Sequence, residues 1–387
     1  MVGASVGAML AWFALRRVVL LAAAVLPGRP PEVASGSLPS LTLVVPACNE
    51  ARGIDATLAA IAALDYPTDR LHVVLVDDAS DDDTASRLER WAAAHPPARV
   101  LRRERRLGKP RAVEAALAAA PATPLVAVCD ADVRPRPDYL RRVIAAFGDP
   151  SVGGAVGYLA PANALASPIA SYAAVESWIH QLVTSAGKDR LDWNPPTLGG
   201  ASLFRRAALD QIGGFGPAAT GDDVRATVAL TRAGWRTRFI ADAIADNTVA
   251  TDRDAYWRQH LRWARDLYAT TAQQRASGVA VPLGRRFEAW MLSAGYLDRV
   301  ALAVAVALVA MGRVPLWIPA AYLGVAAIEV ACAIVRAGAG RHLGTLLLRT
   351  ITFFPMDVAG TLVATASHLL GSATAASSGP RPPAATG

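Results

Sequence analysis

The sequence predicts an α/β protein with a Rossmann-like mixed sheet, joined to an α-helical transmembrane region. Three observations lead there. Apolar runs at 41–45, 71–76 and 125–129 alternate with helix-forming stretches in the βαβ manner. Two of those runs end in carboxylates, Asp77-Asp78 and Asp130-Ala131-Asp132, so acidic groups emerge at strand carboxyl ends, the edge where open α/β sheets bind ligands. The chain of 387 residues is 53% hydrophobic with a mean hydropathy of +0.29, and its apolar residues pile up at both ends.

At the amino end, residues 2–15 and 18–26 are apolar, with Arg16 and Arg17 between them. A charged pair at mid-membrane is costly, so the arginines are expected to snorkel from a tilted helix or to mark an interfacial stretch. With no basic region ahead of it, the segment reads as a membrane anchor and not a cleaved leader. Residues 1–27 are therefore an N-terminal membrane segment, and the Pro/Gly/Ser-rich 28–40 a linker. The middle domain, 41–253, adds helices at 54–63, from an N-cap at Ser80 to Trp91, and after Pro110 up to Ala120. A short strand begins at Val100. Beyond Cys129 the pattern loosens into strands near 155–159, 202–204 and 238–240, and helices near 168–185 and 223–232. Residues 254–290 mix Trp and Tyr with arginine, as interfacial amphipathic helices do. Runs at 301–310, 315–335 and 343–370 supply three further membrane helices within 291–371. Residues 372–387 read as a disordered tail.

The net charge is +7. No nucleic-acid module accompanies it, so no nucleic-acid partner is expected, and anionic lipid or a phosphate-bearing substrate accounts for the charge. Arginines crowd the middle of the chain and recur at Arg336, Arg341 and Arg349, which orients the middle domain toward the cytoplasm of a bacterial-type inner membrane, with a multi-pass anchor. Cys48, Cys129 and Cys332 are far apart and flanked by apolar residues, as buried thiols in a reducing compartment are. The six histidines show no metal-ligand spacing.

Asp130-Ala131-Asp132, ahead of Pro135 and Pro137, offers two hard oxygen ligands on one loop, suited to Mg2+ or Mn2+ carried by a diphosphate. A lone D-x-D of this kind is more often a solvated acidic loop. Lys109 and Lys188 are the only lysines among 39 basic residues, so the compact ammonium in Gly108-Lys109 at a helix start stands out as a phosphate contact. Asp222-Asp223 opens a helix, either as favourable N-terminal acids or as a general base at a cleft. Gln259, Arg262 and Trp263 share one side of a helix by their spacing, either anchoring it at an interface or serving a site.

In this fixed order the motifs resemble the family 2 glycosyltransferases, of GT-A fold, over about 41–266. Pro46-Ala47-Cys48-Asn49-Glu50 resembles the opening nucleotide-contact motif and Val76-Asp77-Asp78-Ala79-Ser80 the base-contact motif. Gly108-Lys109 resembles the diphosphate loop, Asp130-Ala131-Asp132 the metal motif, and Gly199-Gly200-Ala201-Ser202 with Phe204-Arg205-Arg206 the acceptor-side strand. Gly213-Gly214-Phe215 and Gln259-x-x-Arg262-Trp263 match as well. Where relatives read Thr-Glu-Asp, this chain reads Gly221-Asp222-Asp223, and Glu114 stands where asparagine is common.

The resemblance implies a membrane-bound inverting transfer from a nucleotide-diphosphate sugar, with Asp223 as the base. It implies donor contacts from Pro46, Glu50, Asp78, Lys109, Asp130 and Arg262, and a Mg2+ or Mn2+ ion at Asp132 and Asp130. Acceptor contacts would come from Asp222, Gln259 and Trp263. The acceptor is expected to be a lipid, lipid-linked or growing saccharide, in the last case with a partner subunit. The competing reading is an inactive membrane scaffold of the same fold, which the intact aspartates disfavour.

Overall fold

The computed structural model describes residues 2–26, 37–197, 199–215, 222–272, 281–294 and 296–377; the side chains of 222–223, 265–272, 289, 292–293 and 368–377 lie outside the description. Asp222 and Asp223 are thus described in their backbone alone, and parts of the expected linker and tail lie outside the described residues.

An eight-stranded mixed sheet organises the middle of the chain, in the order β3-β2-β1-β4-β7-β6-β8-β5. Its strands are β1 (Leu41–Ala47), β2 (Leu71–Asp77), β3 (Arg99–Arg102), β4 (Leu125–Cys129), β5 (Arg134–Pro135), β6 (Val152–Pro161), β7 (Ala201–Arg205) and β8 (Arg236–Asn247). The first four run parallel, and β7 joins β4 antiparallel. Leu41 is in register with both Leu71 and Leu125, so β1, β2 and β4 start at one level and deliver their following loops to one edge.

Both faces of the parallel half are covered, which is why its strands read as continuous apolar runs. Leu43, Val45, Leu75 and Ala127 pack to one side with Ile54 and Leu58 of helix α2 (Ile54–Ala62), while α1 (Val2–Val25) lies elsewhere. Val44, Val74, Val76, Val126 and Val128 pack to the other, against Ala112, Val113 and Ala116. This alternation is the period-two projection of a pleated strand. Between β6 and β8 the backbones approach so closely that a Cβ on Gly157 would collide with the Ala243 carbonyl oxygen and the Tyr139 ring.

Helices α3 (Thr84–Ala94) and α4 (Lys109–Ala119) follow β2 and β3. Helix α3 starts later than the Ser80 cap predicted, because the Ser80 hydroxyl accepts from the Asn49 N–H (3.0 Å) and leaves Asp83 at the helix start. Further on come α5 (Tyr139–Ile144), α6 (Pro168–Trp178), a π-helical turn over Ile179–Ser185, α7 (Ala186–Arg190), α8 (Arg206–Ile212) and α9 (Asp222–Arg232). The chain closes with α10 (Arg253–Ala272), α11 (Leu283–Ser293), α12 (Leu297–Ala310), α13 (Trp317–Arg336) and α14 (Leu343–Ser377), the last running past the expected boundary at 371.

Among the described residues, three helical stretches are long and apolar enough to cross a membrane: Val2–Val25, Trp317–Arg336 and Gly340–Ser367. Helix α12 corrects the expectation of three carboxyl-terminal spans. At 14 residues it reaches about 21 Å, short of a hydrocarbon core of about 30 Å.

Arg16 and Arg17 also differ from expectation, for neither snorkels. Arg16 forms a two-point contact with Glu288 of α11 (3.0 and 2.6 Å), whose carboxylate also pairs with Lys188 (2.9 Å). Arg17 pairs with Asp298 of α12 (2.8 Å) and Glu329 of α13. The charges are compensated inside the helical layer, which is what a low-dielectric setting demands. Of the cysteines only Cys129 is buried; Cys48, with the charges of Asp77, Asp78, Asp81 and Arg106 near it, and Cys332 are half-buried.

Candidate active site

The loops after β1 and β2 are stitched to each other at the sheet's carboxyl edge. The Asn49 side chain accepts from the Asp81 N–H (3.0 Å), the Glu50 N–H donates to Thr84 Oγ1 (2.8 Å), and the Ala51 N–H donates to Asp82 (3.2 Å). Asn49 (φ 59°) and Ala79 (φ 60°) both adopt the left-handed conformation. That is unfavourable for a residue with a Cβ, more so for alanine than for asparagine, and persists only where the surroundings over-determine it. The stitching supplies that determination.

Asp78 is nearly fully buried (4% exposed). Its carboxylate accepts from the Leu107 N–H (3.1 Å) and the Gly108 N–H (2.7 Å), and Arg103 lies 3.5 Å away. Gly108 takes φ 88°, a region open to glycine. Asp78 therefore shapes the Gly108-Lys109 turn at the start of α4. Nothing in the residue's local sequence signals this role, because its partners lie some thirty positions further on.

Lys109 extends from that turn to the next loop. Its Nζ donates to the Gly199 carbonyl (2.8 Å) and pairs with Asp130 (2.6 Å). The Asp130 N–H in turn donates to the Gly200 carbonyl (2.9 Å). Gly200 packs so closely that a Cβ there would lie 2.8 Å from Leu159. Lys109, Asp130 and the Gly199-Gly200 turn thus form one unit, with Asp132 exposed beside it. Glu50 faces the same unit: its burial, then the charges of Asp132, Asp130 and Asp82, raise its pKa above the usual glutamate range. Pro46 is half-buried in β1, in register with Val76, one strand step before this edge.

Helix α9, which begins at Asp222-Asp223, is held to the segment ahead of the Gly199-Gly200 turn. Its Thr227 hydroxyl accepts from the Thr197 N–H (2.8 Å), and Thr231 accepts from the Asn194 side chain (2.9 Å). Ahead of it, Gly213 and Gly214 take φ 76° and 75°, and Phe215 meets Phe204 of β7 edge to face at 5.3 Å. Glu114, the departure from asparagine, bonds Arg111 (3.0 Å) and lies alongside Gly214.

Helix α10 presents Gln259 half-buried and Arg262 and Trp263 exposed, while Tyr256 and Ala264 turn inward. It packs against α9, α6, α11 and α14, so one side borders α9 and another a helix long and apolar enough to cross a membrane. The sequence motifs hence fall into two groups, the sheet-edge unit and the α10 face, with α9 between them.

The sheet order, the edge carboxylates and the helix that bears Gln259, Arg262 and Trp263 define a glycosyltransferase of GT-A fold. The chain belongs to the glycosyltransferase-like family 2, whose family model matches residues 39–266. It is 30% identical over 251 residues to an N-acetylglucosaminyltransferase of Sinorhizobium fredii, covering 62% of this chain and 60% of that protein. It is 29% identical to the beta-monoglucosyldiacylglycerol synthase of Synechocystis, covering 59% of this chain and 48% of that one. The chain thus spans about three fifths or less of the length of these relatives. Among solved structures it resembles a mannosyltransferase from Pyrobaculum calidifontis in complex with GDP-Man and Mn2+, at a TM-score of 0.63 and 22% identity, covering 91% of this chain and 99% of that one.

Proposed function

We propose that this glycosyltransferase is membrane-bound and inverting. In this reading it moves a hexosyl group from a nucleotide-diphosphate sugar to a hydroxyl of a lipid, lipid-linked or growing saccharide acceptor. The observation that carries the reading is the Lys109–Asp130 unit, built on the Gly199-Gly200 turn and crowded by Glu50 and Asp132 at the carboxyl edge of the parallel strands.

Pro46, Glu50 and Asp78 border the nucleotide, Asp78 chiefly by holding the Gly108-Lys109 turn. Lys109 and Arg262 oppose the charge that accumulates on the leaving diphosphate. Asp223 accepts the proton of the acceptor hydroxyl as that oxygen attacks the anomeric carbon from the face opposite the diphosphate. Asp222, Gln259 and Trp263 contact the acceptor, Trp263 through its flat apolar ring.

The donor set fits a hard divalent cation, Mg2+ or Mn2+, at Asp132 and Asp130. Asp130 and Asp132 bring two hard oxygen ligands to one loop, and Asp132 is exposed beside the Lys109–Asp130 pair. Among the described residues no group of three His, Cys, Asp or Glu side chains could hold a metal by itself. When bound, such an ion stabilises negative charge on the leaving diphosphate.

A lipid or lipid-linked acceptor is supported by the position of α10, which carries Gln259, Arg262 and Trp263 and packs on the membrane-spanning α14. A polymerase with a partner subunit is the second form of the same reading. The arginine distribution supports a multi-pass protein of a bacterial inner membrane with its sheet in the cytoplasm.

The test is nucleotide release by detergent-solubilised protein with Mg2+ or Mn2+, across a panel of nucleotide sugars, with and without a total bacterial lipid extract. Metal-dependent release from one donor, with a new glycolipid and loss of both in Asp223→Asn, is the expected result. Folded protein that releases nothing from any donor would favour the inactive scaffold.

A further inference from the structure

A polar cluster behind α10 has no part in the reaction outlined above. Glu176 of α6 directs one carboxylate oxygen at two groups of α10: it accepts from the Tyr256 hydroxyl (2.7 Å) and lies 3.3 Å from His260 Nε2. The Tyr256 and His260 rings stack at 3.8 Å. The His260 ring then meets Trp263 at 4.9 Å, so the contacts pass from α6 into the Gln259-x-x-Arg262-Trp263 face.

We propose that Glu176 is a positioning residue for acceptor binding, fixing the rotation of α10 so that Gln259, Arg262 and Trp263 present to the transfer site. This rests on the transferase reading above. Apolar side chains of similar volume would hold α6 and α10 together without desolvating charge. A carboxylate bonded to two groups four residues apart does something more, because two points one turn apart fix the helix about its own axis. A rotation of about 20° moves a side-chain tip, some 5–6 Å from the axis, by about 2 Å. Displacements of that size are large against the tolerance of a reacting geometry.

The charges around His260 reinforce the contact. Glu176 faces it from α6 and Asp357 from α14, while Arg299 of α12 pairs with Asp357. Arg299 is itself shared between Asp357 and Asp298, so the carboxylates of this cluster outnumber the arginine beside them. Burial works against the charged ring, yet the hydrogen bond and charge of Glu176, with Asp357 behind, keep its pKa above the usual histidine value. The contacts of Asp357 and Arg299 continue into the helical layer that holds Arg17, so α10 is held from the sheet side and the membrane side together.

Glu176→Gln tests this directly, since the amide can still accept from Tyr256 but no longer carries the charge that faces His260. Two quantities are measured on the full chain in detergent: nucleotide release without acceptor, and transfer as total bacterial lipid extract is varied. The expected result is an apparent acceptor KM raised about tenfold, the scale of losing one charge-assisted bond, with acceptor-free release, which depends on α10 through Arg262 alone, falling by clearly less. Tyr256→Phe, which keeps the His260 contact, should shift KM in the same direction by less, and carries the test should Glu176→Gln not fold. A proportional fall in both quantities, or a lowered Tm with unchanged kinetics, would reduce Glu176 to a structural role and overturn the proposal. Wild-type protein that releases no nucleotide from any sugar would instead remove the transferase reading, and this proposal with it.

Discussion

Asp78→Asn is the most informative single change, because it separates two roles for a residue that the motif assigns to the nucleotide and the structure assigns to a loop. The carboxylate accepts two backbone N–H groups, from Leu107 and Gly108, and lies beside Arg103. Charge-assisted bonds contribute about 1.5–3 kcal/mol each, against about 0.5–1.5 for neutral ones. An asparagine retains one neutral acceptor and turns an NH2 group toward the remaining N–H. Leu107 is half exposed (49%), so water can satisfy part of what is lost. A net weakening of the loop by about 2 kcal/mol follows, which corresponds to about thirtyfold in affinity for any ligand that needs the turn in place. Titration calorimetry with UDP and with GDP, each with Mn2+, measures it. A loop role predicts that both nucleotides weaken by a similar factor and that the Leu107 and Gly108 amides exchange faster with solvent. Loss confined to one nucleotide, with those amides unchanged, would refute the loop argument and restore a direct base contact.

Lys109→Met should abolish measurable donor binding and not merely reduce it, since it removes the cation facing Asp130 (2.6 Å) and the tie to Gly199 together; calorimetry with the nucleotide that binds wild type checks this. Glu50→Gln should stabilise the fold near neutral pH. The folded pKa of Glu50 is raised, so its ionised form disfavours folding above that pKa, and the gain should vanish as pH falls toward the unfolded value near 4.5. Thermal melts of both proteins across pH 4 to 8 read the sign, and a gain that grows toward acid would contradict it. Gly157→Ala should destabilise by about 1–3 kcal/mol, the scale of overpacking, because the added Cβ meets the Ala243 carbonyl and Tyr139. Chemical denaturation of the detergent-solubilised protein would show an unchanged midpoint if β6 and β8 can part at that point.

The parallel half of the fold was legible because its strands are buried on both faces and therefore appear as uninterrupted apolar runs; the 125–129 run matches β4 residue for residue. The carboxylates at the edge were legible for the same reason, since a strand that ends in aspartate shows its own end. Features that depend on distant partners left no such mark. Asp78 reads as a motif residue until Leu107 and Gly108 fold onto it. Ser80 reads as a cap until Asn49 claims its hydroxyl. Arg16 and Arg17 read as a misfit in an apolar helix, because Glu288, Asp298 and Glu329 lie more than 270 positions away. Glu176 carries no signal in its neighbourhood, its bond to Tyr256 spanning 80 positions. Helix α12 was overestimated because the apolar run 301–310 is short for a span, and the structure extends it only to Leu297–Ala310.

The scarcity of lysine gives this chain a chemical handle. Of its two lysine ammonium groups, that of Lys188 is enclosed (2% exposed) against Glu288, whereas that of Lys109 is partly open (24%) beside Asp130, where the proposed donor would lie. An amine-directed reagent at alkaline pH would therefore modify one lysine in strong preference to the other, and a bound donor would shield it. The rate of that modification, followed by mass spectrometry, would report occupancy of the pocket for any candidate sugar nucleotide, without turnover and without knowledge of the acceptor.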